Sequence, residues 1–544
     1  MPAGVRLLRW PRYPKQVRRE LMRWWLPVAV LLLCLAPGLR ACAEDAGVGA
    51  GPVPPAEAVQ PGGNPGPVLT EKLTVDGITI SYPRGLESQA QQVAEVCKTV
   101  VAPRREKFRA MQRAFSDGAR TARVLAQLLG LPEAEGDATR LIAGVGQVTT
   151  AFVEPMFADV RVYRESDLKA SGGVSGGAIS LTYLPREDRF QLQMGIQASA
   201  LEGAGVKLPT ERSFLPVLVR DDGTFRNAEK GPAAGVGDML DIFAGGLALH
   251  THFASIQMAA NLLLARQCGP QPFTRWFHEG VAQWATPRVV QEIAPDYVQQ
   301  CREVVLPEAP TPEARARVNL LAWPSGEDPR PRDAKDEESA YCAYELIERL
   351  LRDRPPGTLA AVVGKLQGQE PLDTEAILRA LDAVLGGDSR SLLLEYVPDS
   401  VRTGLREGRP AGLREEGYRA LTAADYGTAV KLLSDALEMA PSDADMRVNL
   451  AIAMRRSGIP RQGSERQIRL AAVLAQAQPG REFALQGKAD DETWYVLGRV
   501  AQVQERTKEA KELLGKLPAS HADGQAALKD LESAGGSASG AATK

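Results

Sequence analysis

Apolar residues recur along most of this chain at spacings of three and four positions, which is the pattern of amphipathic helices. This periodicity predicts helices over residues 86–101, 104–129, 240–266, 273–285, 338–352 and 371–385. Shorter runs rich in β-branched and aromatic residues predict strands over residues 74–82, 160–164, 178–183 and 190–195. Gly130 and Pro287 supply the expected ends of two helices. The pattern therefore predicts a mostly helical α+β protein.

Four segments lack this apolar pattern. Residues 44–70 are dominated by glycine, proline and alanine and predict a disordered linker, and residues 533–544 predict a disordered tail. Residues 307–337 are rich in proline and charge and predict a long loop. The glycine-rich run Ser171–Gly177 lacks the lysine of a phosphate-binding loop and predicts a hairpin or a mobile loop.

The C-terminal third contains an internal repeat. Small and apolar residues at matching offsets are Leu413, Gly417, Ala429, Ala436 and Pro441 in one copy and Trp494, Leu497, Gly498, Ala510 and Leu514 in another. A less regular copy begins at Met446. Paired antiparallel helices need small residues where they approach closely. The spacing resembles the tetratricopeptide repeat, which implies an all-α repeat region over 407–532 that binds protein or peptide partners. An ordinary helical bundle is the alternative.

The N-terminus predicts export. Seven basic residues precede the apolar run Trp24–Leu35, and Ala41-Cys42-Ala43 follows as a small-residue cleavage site. Residues 1–43 are therefore interpreted as an export signal cut before Glu44, with no stable membrane span afterwards. We expect a periplasmic or extracellular location, and a signal anchor or a lipid anchor is the alternative.

Composition narrows the classes of partner. The chain carries 65 lysine and arginine residues against 67 acidic ones. With this balance the chain has no net positive charge that would attract nucleic acid or an anionic membrane surface. Four cysteines remain after the signal, with no pair at the C-x-x-C spacing of a zinc knuckle: Cys97, Cys268, Cys301 and Cys342. Disulfides and buried free thiols are both compatible with these positions.

Three of the four histidines lie close together in sequence: His250, His252 and His278, with Glu279 directly after the last. Imidazole and carboxylate groups are the usual nitrogen and oxygen ligands of zinc. On a helix, however, residues two apart differ by about 200° and adjacent residues by about 100°, so at most one member of each pair can face one metal. No H-E-x-x-H motif occurs, because Ala282 stands where the second histidine would be.

The segment Arg275–Trp284 (RWFHEGVAQW) resembles the W-x-x-E-G-x-A-x-[FYW] segment of gluzincin-type, peptidase MA-like domains. In that family the glutamate is the third zinc ligand, and H-E-x-T-H on the preceding helix supplies the rest. The corresponding register aligns His252 with the last histidine, and places Ala248 and Leu249 at the first histidine and at the general base. Softer similarity to the family's first strands and later helix extends the resemblance over 71–406. The combination of export signal, this domain and repeats is similar to bacterial, notably planctomycete, proteins.

The resemblance implies a zincin-like domain with a small mixed sheet, followed by the all-α repeats. It implies His252 and Glu279 as zinc ligands, with His250 or His278 as substitutes, and it implies a missing base. The aromatic residues Trp276, Tyr341 and Tyr344 would line the cleft. An alternative register makes Glu279 the general base, but Ala282 then removes a ligand.

We therefore expect a degenerate metallopeptidase-like domain, inactive or weakly active, joined to partner-binding repeats. The first alternative is an active zinc metallopeptidase that hydrolyses extracytoplasmic peptides. A second alternative is a helical interaction scaffold with no surviving cleft.

Overall fold

The architecture was obtained as a computed structural model. It describes residues 67–131, 136–176, 179–194, 212–226, 231–268, 274–306, 308–323, 334–369, 373–476 and 481–539. The predicted export signal at 1–43 and nearly all of the predicted linker at 44–70 lie outside these described residues.

The described residues are mostly helical and include a small mixed sheet, which confirms the α+β class at this level. The strands are β1 (Glu71–Val75), β2 (Ile78–Tyr82), β3 (Asp159–Arg164), β4 (Gly173–Gly176), β5 (Ile179–Leu184), β6 (Arg189–Met194) and β7 (Leu215–Val219). The helices of the first part are α1 (Glu87–Val96), α2 (Ala102–Phe115), α3 (Gly118–Leu129), α4 (Asp137–Val153), α5 (Glu165–Ser171), α6 (Gly231–Leu240), α7 (Ala248–Cys268), α8 (Arg275–Ile293), α9 (Val298–Val305), α10 (Pro312–Arg315), α11 (Ala334–Leu351), α12 (Thr358–Leu366), α13 (Thr374–Leu385), α14 (Ser389–Leu394) and α15 (Asp399–Arg406). Those of the C-terminal part are α16 (Arg409–Thr422), α17 (Tyr426–Met439), α18 (Ala444–Arg456), α19 (Arg461–Ala475), α20 (Asp491–Val503), α21 (Thr507–Leu514) and α22 (Ala522–Ser539).

The mixed sheet has the strand order β1-β2-β3-β7. β1 and β2 form an antiparallel hairpin whose turn is Asp76-Gly77, with both residues at positive φ. β2, β3 and β7 run parallel, so each connection must cross over, and α1 to α4 form the first crossover. The inward residues Ile78, Ile80 and Val160 are completely buried because helices cover this face.

A second sheet, β4-β5-β6, is antiparallel throughout. β5 and β6 confirm the strands predicted over 178–183 and 190–195. β4 lies within the glycine-rich run Ser171–Gly177, where the hairpin alternative holds for residues 173–176.

Two predicted helix boundaries are wrong. The helix predicted over 104–129 is two helices, because the side chain of Asp117 accepts a hydrogen bond from the Arg120 N–H (2.8 Å) and starts α3. Pro287 does not end α8, which continues to Ile293. Side-chain donors bond the carbonyls nearby, since Thr286 donates to Ala282 O (2.7 Å) and Arg288 to Trp284 O (2.8 Å).

Two other helices differ from the prediction in their extent. The helix predicted over 240–266 begins with a π-helical segment, Asp241–Leu247, before α7. α11 begins at Ala334, inside the loop predicted over 307–337, and residues 324–333 of that loop lie outside the described residues.

The C-terminal helices pair as hairpins, α16 with α17, α18 with α19 and α20 with α21, and α22 packs on the last pair. In the first hairpin a Cβ on Gly417 would lie 2.7 Å from Leu433, and in the third a Cβ on Gly498 would lie 2.7 Å from Leu514. The middle hairpin holds a partly buried hydrogen bond from Arg447 to Gln467 (2.6 Å). α22 continues to Ser539, so the first residues of the tail predicted to be disordered are helical.

Three cysteines in the described part of the chain, Cys97, Cys301 and Cys342, are buried free thiols. Burial raises the pKa of each. The side chain of Cys268 lies outside the described residues. None of the described helices combines the length and apolar character that a bilayer crossing requires.

Gly280 on α8 provides a test of the packing between α8 and α11. A Cβ at this position would lie 2.6 Å from the backbone oxygen of Ala343, which cannot move without shifting α11. We expect Gly280→Ala to lower the free energy of unfolding by about 1–3 kcal/mol. The matched control is Gly144→Ala in the interior of α4, where nothing lies within 4 Å and the change should stabilise by about 0.5–1 kcal/mol. Urea unfolding of both variants measures this, and equal effects would contradict the close approach.

Candidate functional site

The histidine window lies on two helices that pack against each other, α7 and α8. His250 and His252 are on α7, and His278 and Glu279 are at the start of α8. Both stretches are helical, as predicted, so neighbouring members of each pair point in different directions. α7 also packs on α4, and α8 packs on α11.

His252 lies against Phe115 of α2 and Gly146 of α4. Its imidazole stacks on the ring of Phe115, with 4.8 Å between centroids and an interplanar angle of 11°. Its Cε1 lies against Gly146, where a Cβ would be 3.6 Å away. The residue is 1% exposed, and its Nε2 has no hydrogen-bond partner among the described residues. Burial lowers its pKa to about 4, so the ring is neutral at physiological pH.

The imidazole of His278 is also neutral, but its surroundings differ from those of His252. The residue as a whole is only half-buried, but its Nε2 is inaccessible and has no hydrogen-bond partner among the described residues. Burial lowers its pKa to about 4, and the adjacent Glu279 carboxylate opposes this shift. His250, on the other helix, is 7% exposed.

Glu279 is held by a cation. Its carboxylate lies 3.4 Å from the guanidinium of Arg275, one turn earlier on α8, and the two side chains are only 15% and 11% exposed. Arg275 also contacts Asp336 at 3.1 Å and packs over the ring of Trp323 at 4.2 Å. Trp323 donates its indole N–H to Asp336 (2.8 Å). Arg275 therefore ties α8 to α11 and to the segment before it.

The predicted cleft aromatics occupy different places. Trp276 is completely buried and donates its indole N–H to the hydroxyl of Thr374 (3.2 Å), so it belongs to the core between α8 and α13. Tyr341 and Tyr344 are partly buried on α11, with ring centroids 6.5 Å apart. Burial raises the pKa of both tyrosines, so both hydroxyls are neutral donors.

A catalytic zinc ion ordinarily needs three protein ligands. Within the described ranges, no group of three or more His, Cys, Asp and Glu side chains is arranged to hold a metal ion. The ring of His252 stacks on Phe115, and the carboxylate of Glu279 pairs with Arg275. A cavity beside this region, lined in part by Met111, Leu249 and Tyr297, has a volume of about 10 Å³, room for roughly one water molecule.

The residues that surround these groups carry little signal in the sequence. Phe115 and Gly146 belong to helices far from the histidines in sequence, and nothing in their local pattern indicates a ring stack. Asp336 and Trp323 come from a segment predicted to be a loop. Arg275 alone carried a signal, since an arginine four residues before a glutamate on a helix predicts an ion pair.

Comparisons of the chain with protein-family models, with curated proteins and with solved structures found no match.

We expect substitutions of Arg275 and of Glu279 to lower the free energy of unfolding by different amounts. Arg275→Met leaves the carboxylates of Glu279 and Asp336 without their cation, so we expect a loss of about 3–5 kcal/mol in the free energy of unfolding. Glu279→Gln leaves Arg275 paired with Asp336 and should cost about 1–2 kcal/mol. Urea unfolding of both variants checks this, and equal losses would exclude the shared role of Arg275.

We expect the free energy of unfolding to fall in acid because His252 is buried as a neutral imidazole. Its pKa is about 4 in the folded state against 6.5 for an ordinary histidine, so the unfolded chain binds a proton that the folded chain does not. The free energy of unfolding therefore falls as pH drops from 6.5 towards 4, by up to roughly 3 kcal/mol for this group. We expect His252→Leu to flatten this part of the stability curve, measured by urea unfolding between pH 7.5 and 4.5. An unchanged slope in the variant would contradict the burial of a neutral imidazole.

Proposed function

We propose that this chain is an exported protein that binds protein or peptide partners through its C-terminal helical hairpins, and that its first part is a gluzincin-like domain with a degenerate metal site. The hairpins correspond to the proposed tetratricopeptide-type repeats. In this proposal the peptidase-like domain contributes a scaffold rather than chemistry.

The observation that carries the proposal is the pairing of Glu279 with Arg275. A carboxylate that ligates zinc must direct its lone pairs to the metal, whereas this one lies 3.4 Å from a guanidinium in a mostly buried cluster. The positions that the family uses for the first histidine and the base are Ala248 and Leu249, both buried apolar side chains. Without a base, general-base catalysis loses roughly 10²–10⁴-fold.

The hairpins support the binding role through their arrangement. The first helices of successive hairpins, α16, α18 and α20, contact one another in order, so they form one continuous face. Beside this face is an open groove of about 530 Å³, lined by Glu415, Tyr418, Arg419, Thr422, Ala423 and Gln486. Its mixture of charge, aromatic ring and amide suits a polar, extended peptide more than a small apolar ligand.

A second candidate function is zinc-dependent peptide hydrolysis. It is favoured by the neutral imidazoles of His252 and His278, whose Nε2 atoms are buried with no hydrogen-bond partner in the described part of the chain. Neutral imidazole is the form that a metal binds. This function would require Glu279 to leave Arg275, together with a third ligand such as His250.

Zinc content and peptide hydrolysis distinguish the two functions. We expect the purified protein to hold substoichiometric zinc, to leave a peptide library uncleaved with or without a chelator, and to bind members of a peptide array equally well in both conditions. Glu279→Gln should behave like Glu292→Gln, the matched control at an exposed glutamate on the same helix.

Two results would contradict this expectation. Stoichiometric zinc with chelator-sensitive cleavage, lost in Glu279→Gln and retained in Glu292→Gln, would establish the metallopeptidase. Failure of every peptide of the array to bind, both to the wild type and to the Gln486→Pro variant, would remove the binding role.

A further inference from the structure

The connection between the second and third hairpins is unusually long. α19 ends at Ala475 and α20 begins at Asp491, whereas only residues 440–443 separate the first hairpin from the second. From Arg481 onward this connection is described, and it has neither helix nor strand as far as Asp490. It lies against α18 rather than turning directly into the next hairpin.

The contact with α18 is made to the main chain of the connection. Asn449 donates its amide N–H to the carbonyl of Ala484 (2.9 Å) and accepts from the N–H of Gln486 (2.9 Å). Asp445, one turn earlier, accepts from the N–H of Ala484 (3.1 Å) and pairs with Arg481 (2.6 Å). A single carboxamide thus bonds one acceptor and one donor two residues apart, beside a tight turn in which the Leu485 N–H donates to the Phe483 carbonyl (2.9 Å). Any peptide that adopts this turn presents the same main-chain groups irrespective of its side chains.

The side chain of Asn449 is held in place to bind main-chain groups. It is completely buried, and its amide nitrogen also bonds the Asp445 carbonyl of its own helix (2.8 Å). A buried amide without partners would cost about 1–3 kcal/mol, so this position needs main-chain groups beside it. Further along α18, Arg456 donates to the carbonyl of Lys488 (3.1 Å).

The connection is attached by side chains of α18 rather than by a helix or a sheet. Its residues alternate between half-buried and exposed from Arg481 to Leu485, and within its described part Phe483 and Leu485, both half-buried, pack against the hairpin core. Replacing this segment with another peptide that presents the same main-chain groups therefore disrupts no helix or strand among the described residues.

The groove described above continues from this contact. Gln486 belongs both to the segment bonded by Asn449 and to the lining of the open groove, where Tyr418 and Thr422 come from α16. Gly487 is also close to α16, since a Cβ there would lie 3.9 Å from the Cα of Thr422. Burial raises the pKa of Tyr418 to about 12, so its hydroxyl is a neutral donor at the groove wall.

We propose that the segment Arg481–Lys488 is an intramolecular ligand, which occupies the main-chain-binding edge of α18 and excludes an external peptide from it. The external occupant is a peptide that presents the same main-chain acceptor and donor and carries apolar side chains at the positions equivalent to Phe483 and Leu485. This inference rests on the proposed peptide-binding function of the hairpins. The segment competes at the effective concentration of a short tether, in the millimolar range, and so lowers the apparent affinity for any external peptide.

The test weakens the internal segment and leaves the receiving surface intact. Gln486→Pro removes the main-chain N–H that Asn449 accepts, without changing α18. The probe is a fluorescein-labelled peptide of sequence REFALQGK, followed by fluorescence anisotropy with the full protein. We expect Gln486→Pro to bind it roughly 10-fold more tightly than the wild type, or better. Ala489→Pro, at an exposed residue of the same connection, is the control and should match the wild type.

Asn449 is then tested in the Gln486→Pro background. Asn449→Ala should abolish the gained affinity, and Asp445→Asn, which keeps an acceptor for the Ala484 N–H but loses the pair with Arg481, should reduce it. Circular dichroism of each variant checks that the hairpins remain folded. If Asn449→Ala does not fold, Asp445→Asn tests whether the peptide binds at α18.

The outcomes separate this inference from the proposed function. If array peptides and REFALQGK bind wild type and Gln486→Pro with equal affinity, the hairpins bind peptides but the segment does not regulate them, and the inference is overturned. If no peptide binds any variant, the proposed function fails as well. Retained binding in both Asn449→Ala and Asp445→Asn would also overturn the inference, because the peptide would then use another surface.

Discussion

Polar side chains that leave water need partners inside the protein, and this requirement governs both regions that carry chemistry in this chain. Glu279 is mostly buried where α8 packs on α11, and Arg275 supplies its partner. Asn449 is buried on α18, and the main chain of a connecting segment supplies its partners. In both places the apolar packing of helices decides the burial. The polar group then takes whatever partner the neighbouring segment offers.

The two histidines with unpartnered Nε2 atoms meet the same requirement differently. A neutral imidazole loses less by burial than a charged one, and this is why the pKa of His252 and His278 falls to about 4. That state is equally compatible with an inert core histidine and with a metal ligand. The histidines alone therefore leave both candidate functions open. The pairing of Glu279 with Arg275 supports the proposed degenerate site, because a carboxylate beside a guanidinium has its charge balanced without a metal.

Local periodicity was sufficient to predict the helices around both sites and five of the strands, because amphipathic faces are written within a few turns of sequence. The pairing of Arg275 with Asp336 joins residues 61 positions apart, and the bonds of Asn449 reach 35 and 37 positions along the chain. No local pattern encodes such contacts. Pro287 misled the prediction for the opposite reason, since packing on both sides of α8 overrides a local helix-breaking preference. The sequence contains one local signal for the second site. Asn449 is a polar residue within the otherwise apolar run Val448–Ala453, where burial is expected.

The long connection after α19 supplies the partners of the buried amide at a modest entropic cost. Loop closure costs only about 0.6 kcal/mol for each doubling of length, so lengthening a hairpin connection to span residues 476–490 costs on the order of 1 kcal/mol. The hydrogen bonds to Asn449 contribute about 1 kcal/mol each, and the packing of Phe483 and Leu485 on the hairpin core adds to them. In the proposed exchange, a competing peptide must present the same acceptor and donor, because the amide of Asn449 would otherwise be buried without these partners.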